Sequence, residues 1–336
     1  MDTTRLEGTI SAELDGKRLD QALAALFPQY SRSRLKEWIL AGRVEVDGGL
    51  QPPRARVAAG QHIVLSAIEQ VREAASAEAI ELRIVYEDDD VLVIDKPAGL
   101  VVHPGAGNAS GTLMNGLLHH CRDLATLPRC GILHRLDKDT TGLLLVAKSS
   151  AAHTRLVQDL QQREIMREYR AVCVGRLTAG GRIDAPIGRH PTLRTRMAVI
   201  QRGRESVTNF RVLQRFTAHT FCAIRLETGR THQIRVHFAH ERHSLVGDPV
   251  YGGRLQIPAG ASARLGVALR GFGRQALHAG HIGFVHPVSG AELTFASPLP
   301  DDFVDLLQAL ADDAEDCRLG DADAWDRMAW PVPESN

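Results

Sequence analysis

An aspartate flanked by basic residues stands shortly before a long apolar run. The sequence HRLDKDTTGLLLVAK places Asp137 between Arg135 and Lys138, ahead of the apolar run Leu143–Val146. That run has the length and composition of a buried strand, so Asp137 is expected close to the start of the strand. A carboxylate in this position either forms a structural ion pair or takes part in catalysis.

A second polar group lies in LETGRTHQIRVHFAHERH, where two arginines stand close to a predicted helix start. Arg230 and Arg235 follow a turn at Thr228 and Gly229. This arrangement would hold an arginine against a carboxylate supplied by another part of the chain, because a guanidinium can donate two parallel hydrogen bonds to a carboxylate. Asp137 is the candidate partner.

The same segment carries four histidines whose spacing could bring imidazoles together: His232, His237, His240 and His243. A metal site also needs a supporting carboxylate and an open coordination position. Glu241 is the acid within the predicted helix, and it points to a different face from His237 and His240. We therefore expect no metal ligand among these histidines.

Other catalytic motifs are absent from the sequence. It contains no GxxxxGK[ST], no GxGxxG after a strand, no HExxH and no GxSxG. The five cysteines are widely spread and never form CxxC, which predicts neither a disulfide framework nor a thiolate metal site. We expect no cofactor, since neither nucleotide hydrolysis nor redox chemistry has its usual residues.

The formal net charge of zero hides an uneven distribution. Residues 301–336 contain eleven acids and two arginines, a balance of −9, so residues 1–300 carry +9. Between Thr154 and Arg242 the chain has seventeen arginines, no lysine and seven acids. Planar guanidinium groups suit phosphate oxygens, which favours a polyanionic partner. A solvated arginine-rich surface is the alternative.

The elements that would position these residues begin with a small segment, 1–70. Two predicted helices precede a hairpin at VEVDGGL and a further strand. Basic side chains stand in the first half of the second helix and just after its end: Arg32, Arg34, Lys36 and Arg43. The stretches RLD, SRSRLK, GRVEVDG and GQHI resemble the S4 RNA-binding domain, which implies that this helix contacts RNA. An ordinary amphipathic surface helix is the alternative.

The rest of the chain is predicted to hold a larger domain. After a predicted linker at 71–82, rich in Ala, Glu and Ser, strand-like runs outnumber helical ones and do not alternate strictly with them. The pattern predicts an α+β fold, in which a small S4-type α/β domain precedes a catalytic domain, 83–310, with a mixed, largely antiparallel sheet. Residues 311–336 are predicted to form an acidic tail.

Five blocks resemble, in their order, the RluA family of pseudouridine synthases: HRLDKDTTGLLLVAK, REYRAVCVG, LETGRTHQIRVH, VGDPVYGG and RQALHAGHIGFVHP. With DKPAGLVVHPGAGN and the S4-like segment, the similarity covers the chain to about residue 310. The sequence departs from the family pattern at Thr141, where serine is common, and at Arg167, where lysine is common. Neither departure is expected to affect the chemistry.

The resemblance implies an isomerase that converts uridines in a loop of large-subunit rRNA to pseudouridine. By its match to the family motif, Asp137 is the catalytic aspartate, acting as a nucleophile at C1′ or as a base toward the ribose. Arg235 would keep Asp137 ionised through an ion pair, and Tyr169 would stack on the flipped uracil and help to remove the C5 proton. Arg135 and Arg230 would contact the RNA.

Two other classes of function stay open on the residues alone, namely a catalytically silent RNA-binding protein and a metal-dependent phosphodiesterase that uses the histidines. The sequence has no apolar stretch long enough to span a membrane and no secretory signal, so a cytoplasmic location is expected. It carries no sign of oligomeric state, and a monomer is the default expectation.

Overall fold

The structure, a computed structural model, describes residues 3–28, 30, 32–68, 76–105, 107–193, 195–314 and 319–320. The chain divides into two units, Met1–Ala74 and Ala75–Asn336, each with hydrophobic core clusters of its own. Among the described residues, no helix is both long enough and apolar enough to cross a membrane.

The first unit combines a four-stranded antiparallel sheet with two helices. In chain order its elements are β1 (Thr3–Thr9), a 3₁₀ turn (Ala12–Leu14), α1 (Leu19–Leu26), α2 (Arg32–Leu40), β2 (Val44–Val46), β3 (Gly49–Leu50) and β4 (His62–Ile68). The strand order is β1-β4-β2-β3. Leu19 and Leu23 of α1 are fully buried, as is Leu35 of α2, because apolar residues at helical spacing share one face. The predicted small α/β domain is confirmed.

The second unit is built on a mixed sheet that has nine strands in the described part of the chain. The strands of the whole unit, including two outside this sheet, are β5 (Ile84–Glu87), β6 (Val91–Lys96), β7 (Thr141–Ala147), β8 (Met166–Val174), β9 (Gly181–Asp184), β10 (Ile187–Arg189), β11 (Met197–Val199), β12 (Val207–Arg215), β13 (His219–Leu226), β14 (Leu277–Val285) and β15 (Glu292–Ala296). Its helices are α3 (Leu113–His120), α4 (Ser150–Gln161), α5 (Gln233–His240), α6 (Ala263–Gly271) and α7 (Asp301–Asp313), with 3₁₀ turns at Arg122–Thr126 and Pro128–Gly131.

The order of the large sheet is β5-β6-β7-β14-β8-β13-β12-β9, with β15 added on β14, while β10 and β11 form a separate hairpin. The pair β7 and β14 is parallel, and the other neighbouring strands of this sheet run antiparallel. The predicted mixed, largely antiparallel sheet is therefore confirmed.

Strand β7 is buried along its whole length because both faces of the sheet are covered there. All seven of its residues are buried. Leu144 and Val146 face a core cluster that includes helix α3, whereas Leu143 and Leu145 face a second cluster that includes helix α4. Successive side chains of a strand point to opposite faces, so a strand buried on both sides needs a continuous apolar run.

Part of the predicted linker packs on the second unit. The Glu78 N–H donates to the Asn115 carbonyl oxygen (3.1 Å), and the Asn115 side-chain amide donates to the Ser76 carbonyl oxygen (2.8 Å). Leu82 packs against the same core as helix α3. The composition of this segment gave no sign of the docking, because its polar contacts use mainly backbone groups. Residues 71–75 lie outside the described residues.

Helix α7 continues beyond residue 310, where the acidic tail was predicted to begin. The helix ends at Asp313, and both Leu310 and Ala311 are buried in a core cluster with Phe303. The acids of DDFVDLLQALADD lie mainly on the exposed side of an amphipathic helix, so the last turn of this helix falls within the segment predicted to be the tail. Residues 315–318 and 321–336 of the predicted tail lie outside the described residues.

Candidate active site

Asp137 lies in the loop that leads into β7. Its backbone carbonyl accepts a hydrogen bond from the Thr140 N–H at 3.1 Å, which closes a tight turn just before the strand. The carboxylate is 14% exposed, so it is accessible from one side. A rigid, buried strand thus fixes the position of one partly exposed carboxylate.

Lys96, the last residue of β6, stabilises this loop through hydrogen bonds to backbone carbonyls. Its Nζ donates to three backbone carbonyls, those of Pro97 (2.7 Å), Leu100 (3.0 Å) and Lys138 (2.9 Å). The side chain is fully buried. Burial lowers the pKa of Lys96 from 10.5 to about 8, although the charges of Asp139 and Asp137 partly oppose that shift.

Replacing Lys96 with methionine is expected to lower the free energy of unfolding by about 2–4 kcal/mol, because three carbonyls lose their donor. The folded pKa of Lys96 lies below its unfolded value, so unfolding takes up a proton between pH 8 and 10.5, and the intact protein gains stability as pH rises through that window. The difference in the free energy of unfolding between the intact protein and Lys96→Met, measured in urea, should therefore increase from pH 8 to pH 10. Exposed Lys138→Met is the control, and a constant difference would contradict the assignment.

Arg235, on helix α5, joins two carboxylates from distant parts of the chain. Its Nη1 donates to Asp137 Oδ2 at 2.8 Å, while Nε and Nη2 donate to Asp248 Oδ2 and Oδ1 at 2.7 and 2.9 Å. Burial works to lower the pKa of Arg235, but Asp248 and Asp137 outweigh it and raise that pKa. The two-pronged contact with Asp248 fixes the guanidinium plane, so Nη1 has a defined direction toward Asp137.

Asp248 is a residue to which the sequence analysis assigned no role. Its side chain is fully buried, and Oδ1 also accepts hydrogen bonds from the N–H groups of Val250 (2.8 Å) and Tyr251 (2.9 Å). Burial alone would raise the pKa of Asp248, but the Arg235 hydrogen bonds and charge, with the two backbone donors, lower it overall. The available sequence signal was an acid in VGDPVYGG with no lysine or arginine nearby.

Tyr169, on β8, is predicted to stack on the flipped base. It is 5% exposed. Burial raises the pKa of its phenol, Arg167 lowers it and Asp137 raises it, with a net increase. The phenol is therefore protonated at neutral pH, and the influence of Asp137 on its pKa indicates that the two side chains are close.

His232 and Tyr251 border the carboxylate on its other side. His232 Nδ1 lies 2.8 Å from the Tyr251 hydroxyl, and the Arg235 guanidinium carbon lies 5.2 Å from the centre of the Tyr251 ring. His232 Nε2 is 3.8 Å from Asp137 Oδ1, which is too far for a hydrogen bond. Burial lowers the pKa of His232, so this imidazole is neutral at pH 7.

Both units of the chain are similar to known proteins. The family model described as RNA pseudouridylate synthase matches residues 90–240, and the S4 domain model matches residues 17–63. Ribosomal large subunit pseudouridine synthase D of Vibrio parahaemolyticus is 54% identical over 94% of this chain and 98% of that protein. Its counterpart in Pseudomonas aeruginosa is 55% identical over 90% of this chain and 95% of that protein. This chain belongs to the pseudouridine synthase family.

Solved structures show the same fold in more distant family members. Human RNA pseudouridylate synthase domain containing 4 is 25% identical and covers 68% of this chain and 92% of its own, with a TM-score of 0.53. Human RNA pseudouridylate synthase domain containing 1 has a TM-score of 0.55 at 23% identity, covering 76% of this chain and 99% of its own, and supports the fold alone.

Arg167, a departure from the pattern of this family, lies inside the site. It is 6% exposed, and a Cβ on Gly229 would lie only 2.8 Å from its Nη1. Its charge lowers the pKa of His134, after the larger effect of burial, and that of Tyr169. Its Nε has no hydrogen-bond partner within the described residues. The expectation that this residue does not affect the chemistry stays a prediction.

The two predicted RNA-contacting arginines of the synthase unit lie at the edge of the site. Arg135 is exposed, and its charge contributes to lowering the pKa of His103 and of His232, after the larger effect of burial, so it lies near both. Arg230 is half-buried, and its Nε donates to the Glu205 carbonyl oxygen at 3.1 Å. The structure brings Arg135 close to the catalytic loop and fixes Arg230 beside the start of helix α5.

The basic residues of the S4 unit do not form one continuous stripe. Arg32 pairs with Asp20 at 2.9 Å, and the Arg34 guanidinium carbon lies 5.2 Å from the centre of the Trp38 ring. Lys36 is exposed and shares a helix face with Arg32, whereas Arg43 is half-buried after the helix end. Arg32 and Lys36 are the exposed residues of this set.

Two of the histidines that could have formed a metal site have hydrogen-bond partners within the described residues. His237 is buried, with Nδ1 2.8 Å from the Thr208 hydroxyl and Nε2 2.9 Å from the Ala185 carbonyl oxygen. His243 Nδ1 lies 2.9 Å from the Val174 carbonyl oxygen. In the described part of the chain, no group of three His, Cys, Asp or Glu side chains could hold a metal ion.

Proposed function

We propose that this protein is an rRNA pseudouridine synthase that isomerises uridines in a loop of large-subunit rRNA, with Asp137 as its catalytic carboxylate. The observation that carries the proposal is the Asp137–Arg235–Asp248 arrangement, in which one partly exposed carboxylate is oriented by an arginine clamped on a buried one. The names of the relatives supply the class of RNA.

The reaction breaks the C1′–N1 bond of uridine, turns the uracil and joins C1′ to C5. The C5 proton is lost and N1 gains a proton, so the net change is an isomerisation. Arg235 occupies Asp137 Oδ2, whereas Oδ1 accepts no hydrogen bond from any described residue. Oδ1 is therefore the oxygen that attacks C1′ or takes a proton from the ribose.

The arrangement of carboxylates favours isomerisation over hydrolysis. A glycoside hydrolase uses two carboxylates that flank the sugar, one of them to activate water or to form the intermediate. Here the second carboxylate, Asp248, is fully buried and bound through both oxygens to Arg235. Asp248 orients Arg235 and does not reach a sugar, so the site offers one catalytic carboxylate.

The target base must leave its stack to reach this loop, at a cost of a few kcal/mol that is smallest for an unpaired loop nucleotide. Tyr169 would stack on the extruded uracil, and its protonated phenol would have to pass its proton on before it could accept the C5 proton. Arg135 and Arg230 would bind phosphates at the edge of the site.

We also propose that the enzyme is monomeric and cytoplasmic and that it uses no cofactor. Asp137, Arg235 and Tyr169 all come from one chain, so the site needs no partner subunit. The four described cysteines are free, as is usual where thiols stay reduced. The enzyme would act in the compartment where ribosomal RNA is transcribed and ribosomes are assembled.

The test is tritium release from C5-labelled uridine in RNA transcripts, without added metal or cofactor. We expect release from a large-subunit rRNA transcript and little from a small-subunit transcript of similar length. Tight binding without release from any transcript would favour the alternative of a catalytically silent RNA-binding protein.

Deleting residues 1–74 is expected to weaken binding to structured rRNA by about tenfold, since the S4 unit contributes phosphate contacts that position the RNA. The rate of tritium release with excess RNA should stay within about threefold, because the synthase unit has its own hydrophobic clusters. Filter binding and single-turnover release measure the two effects. Unchanged RNA affinity in a folded truncated protein would contradict the role given to the S4 unit.

A further inference from the structure

A groove of about 310 Å³ lies next to the loop that supplies Asp248. Asp248 and the glycines that follow it form part of its wall, helix α6 contributes Arg270, and His219 at the start of β13 also lines it. None of Asp137, Tyr169 and Arg235 lines the groove, although Asp248 in its wall binds Arg235. The groove is not part of the uridine site described above.

Three arginines from separate segments line this groove. Arg242 follows helix α5, Arg254 lies in the glycine-rich loop, and Arg270 lies in the last turn of α6. All three are exposed, and no carboxylate among the described residues pairs with any of them. Nearby arginines differ in this respect, since Arg264 on the same helix pairs with Asp312.

His219 adds an unsatisfied polar atom to the groove. Its side chain is 2% exposed, and Nδ1 has no hydrogen-bond partner within the described residues. Burial lowers the pKa of His219 to about 4, so the imidazole is neutral at pH 7 and can donate one hydrogen bond. Buried polar atoms without a partner are rare in folded proteins, and water, an ion or a bound group can complete their hydrogen bonding.

We propose that this groove binds a backbone phosphate of the substrate RNA, at a nucleotide other than the target uridine. The proposal rests on the proposed function for the identity of the substrate. Unpaired guanidinium groups that line one concave surface raise the local concentration of polyanions, and their planar donors match phosphate oxygens. A groove of this volume accommodates one phosphate with part of its flanking riboses.

The position of the groove explains its use. Contacts to phosphates fix the register of a nucleic acid on a protein, whereas the flipped base is read elsewhere. A phosphate held by Arg242, Arg254 and Arg270 would anchor the RNA strand outside the site of the catalytic carboxylate. The three arginines would therefore contribute mainly to RNA affinity and to its dependence on salt.

The test compares intact protein with Arg242→Gln, Arg254→Gln, Arg270→Gln and the triple variant. The control is Arg264→Gln, which removes a paired arginine from the helix that carries Arg270. Filter binding of a large-subunit rRNA fragment, measured across a series of salt concentrations, gives both affinity and the salt slope. Tritium release at limiting RNA is measured on the same samples, and circular dichroism checks folding.

We expect the triple variant to bind RNA about tenfold more weakly than the intact protein at low salt. The slope of log affinity against log salt concentration should fall in magnitude by about 0.7–0.9, which corresponds to one lost phosphate contact. Release at limiting RNA should fall in proportion, while Arg264→Gln behaves as the intact protein. Equal affinity and slope in the triple variant and the intact protein would overturn the proposal, and so would an equal loss in Arg264→Gln.

Two further outcomes separate the groove from the proposed function. If the intact protein releases no tritium but the triple variant still loses affinity and slope, the groove stands and the synthase assignment fails. If a polyglutamate of equal charge displaces the RNA from intact protein as effectively as unlabelled RNA does, the groove accepts acidic chains in general, and the assignment to RNA phosphate is overturned.

Discussion

Replacing Asp137 with asparagine is expected to reduce single-turnover tritium release by at least about 10³-fold, while RNA affinity stays within about threefold. The substitution keeps the shape of the side chain and removes its charge, and an amide can neither attack C1′ nor take a proton from the ribose. Arg235 would remain clamped on Asp248 through Nε and Nη2. The loop therefore keeps its main support, and binding is preserved.

The matched control is Asp139→Asn, which removes a carboxylate from the same loop. The charge of Asp139 acts on Lys96, but Asp139 has no contact with Arg235 among the described residues. The rate of tritium release by Asp139→Asn should stay within about tenfold of that of the intact protein. If Asp137→Asn and Asp139→Asn lose activity equally, the effect belongs to the loop as a whole and not to one catalytic carboxylate.

Replacing Arg235 with glutamine is expected to cause the largest combined loss. The substitution leaves the buried Asp248 without its cation, and loss of one partner of a buried ion pair costs about 3–5 kcal/mol. Tritium release should fall by at least about 10²-fold, because Asp137 also loses the donor that orients Oδ2. Urea unfolding and single-turnover release measure the two losses separately.

Asp248→Asn separates positioning by Asp248 from simple stabilisation. The amide retains an oxygen for the Val250 and Tyr251 N–H groups but cannot accept both hydrogen bonds from Arg235. We expect release to fall by about 10- to 100-fold with RNA affinity nearly unchanged. A purely structural Asp248 would give lower stability with an unchanged rate in the folded protein, and that result would contradict the positioning role.

A fall in pH should lower the free energy of unfolding of the intact protein more than that of Asp248→Asn. The folded pKa of Asp248 lies below its ordinary value of 3.8, so its contribution to stability is complete above that value and is lost as pH falls through the folded pKa. Unfolding curves at pH 5, 4 and 3 should therefore converge for the two proteins.

Local sequence patterns predicted one half of the site and missed the other. The apolar run after HRLD indicated a buried strand, and the structure places Asp137 in the loop just before it. Arg235 lies 98 residues later in the chain than Asp137. The residue pattern predicted that an arginine of its block would pair with Asp137, and the match to a family block singled out Arg235, whose contact the structure shows. The structure brings these two residues together, while their catalytic roles stay predictions.

Asp248, Arg167 and the S4 arginines show what sequence patterns could not reveal. The partner of Asp248 is on another element, and Arg167 appeared only as a change of residue type, because burial depends on which strands become neighbours. The S4 resemblance implied that Arg32 contacts RNA, and the structure adds that its guanidinium also pairs with Asp20. Charge composition predicts a class of partner, whereas intramolecular pairing decides which cations can reach that partner.

The most direct test of Asp137-dependent isomerisation is the nucleoside composition of large-subunit rRNA after incubation with excess intact protein or Asp137→Asn. We predict that pseudouridine appears with the intact protein, without free uracil, and does not appear with the variant on the same time scale. Pseudouridine formed at similar rates by both proteins, or free uracil released by the intact one, would contradict the assignment of Asp137 as the single catalytic carboxylate of an isomerase.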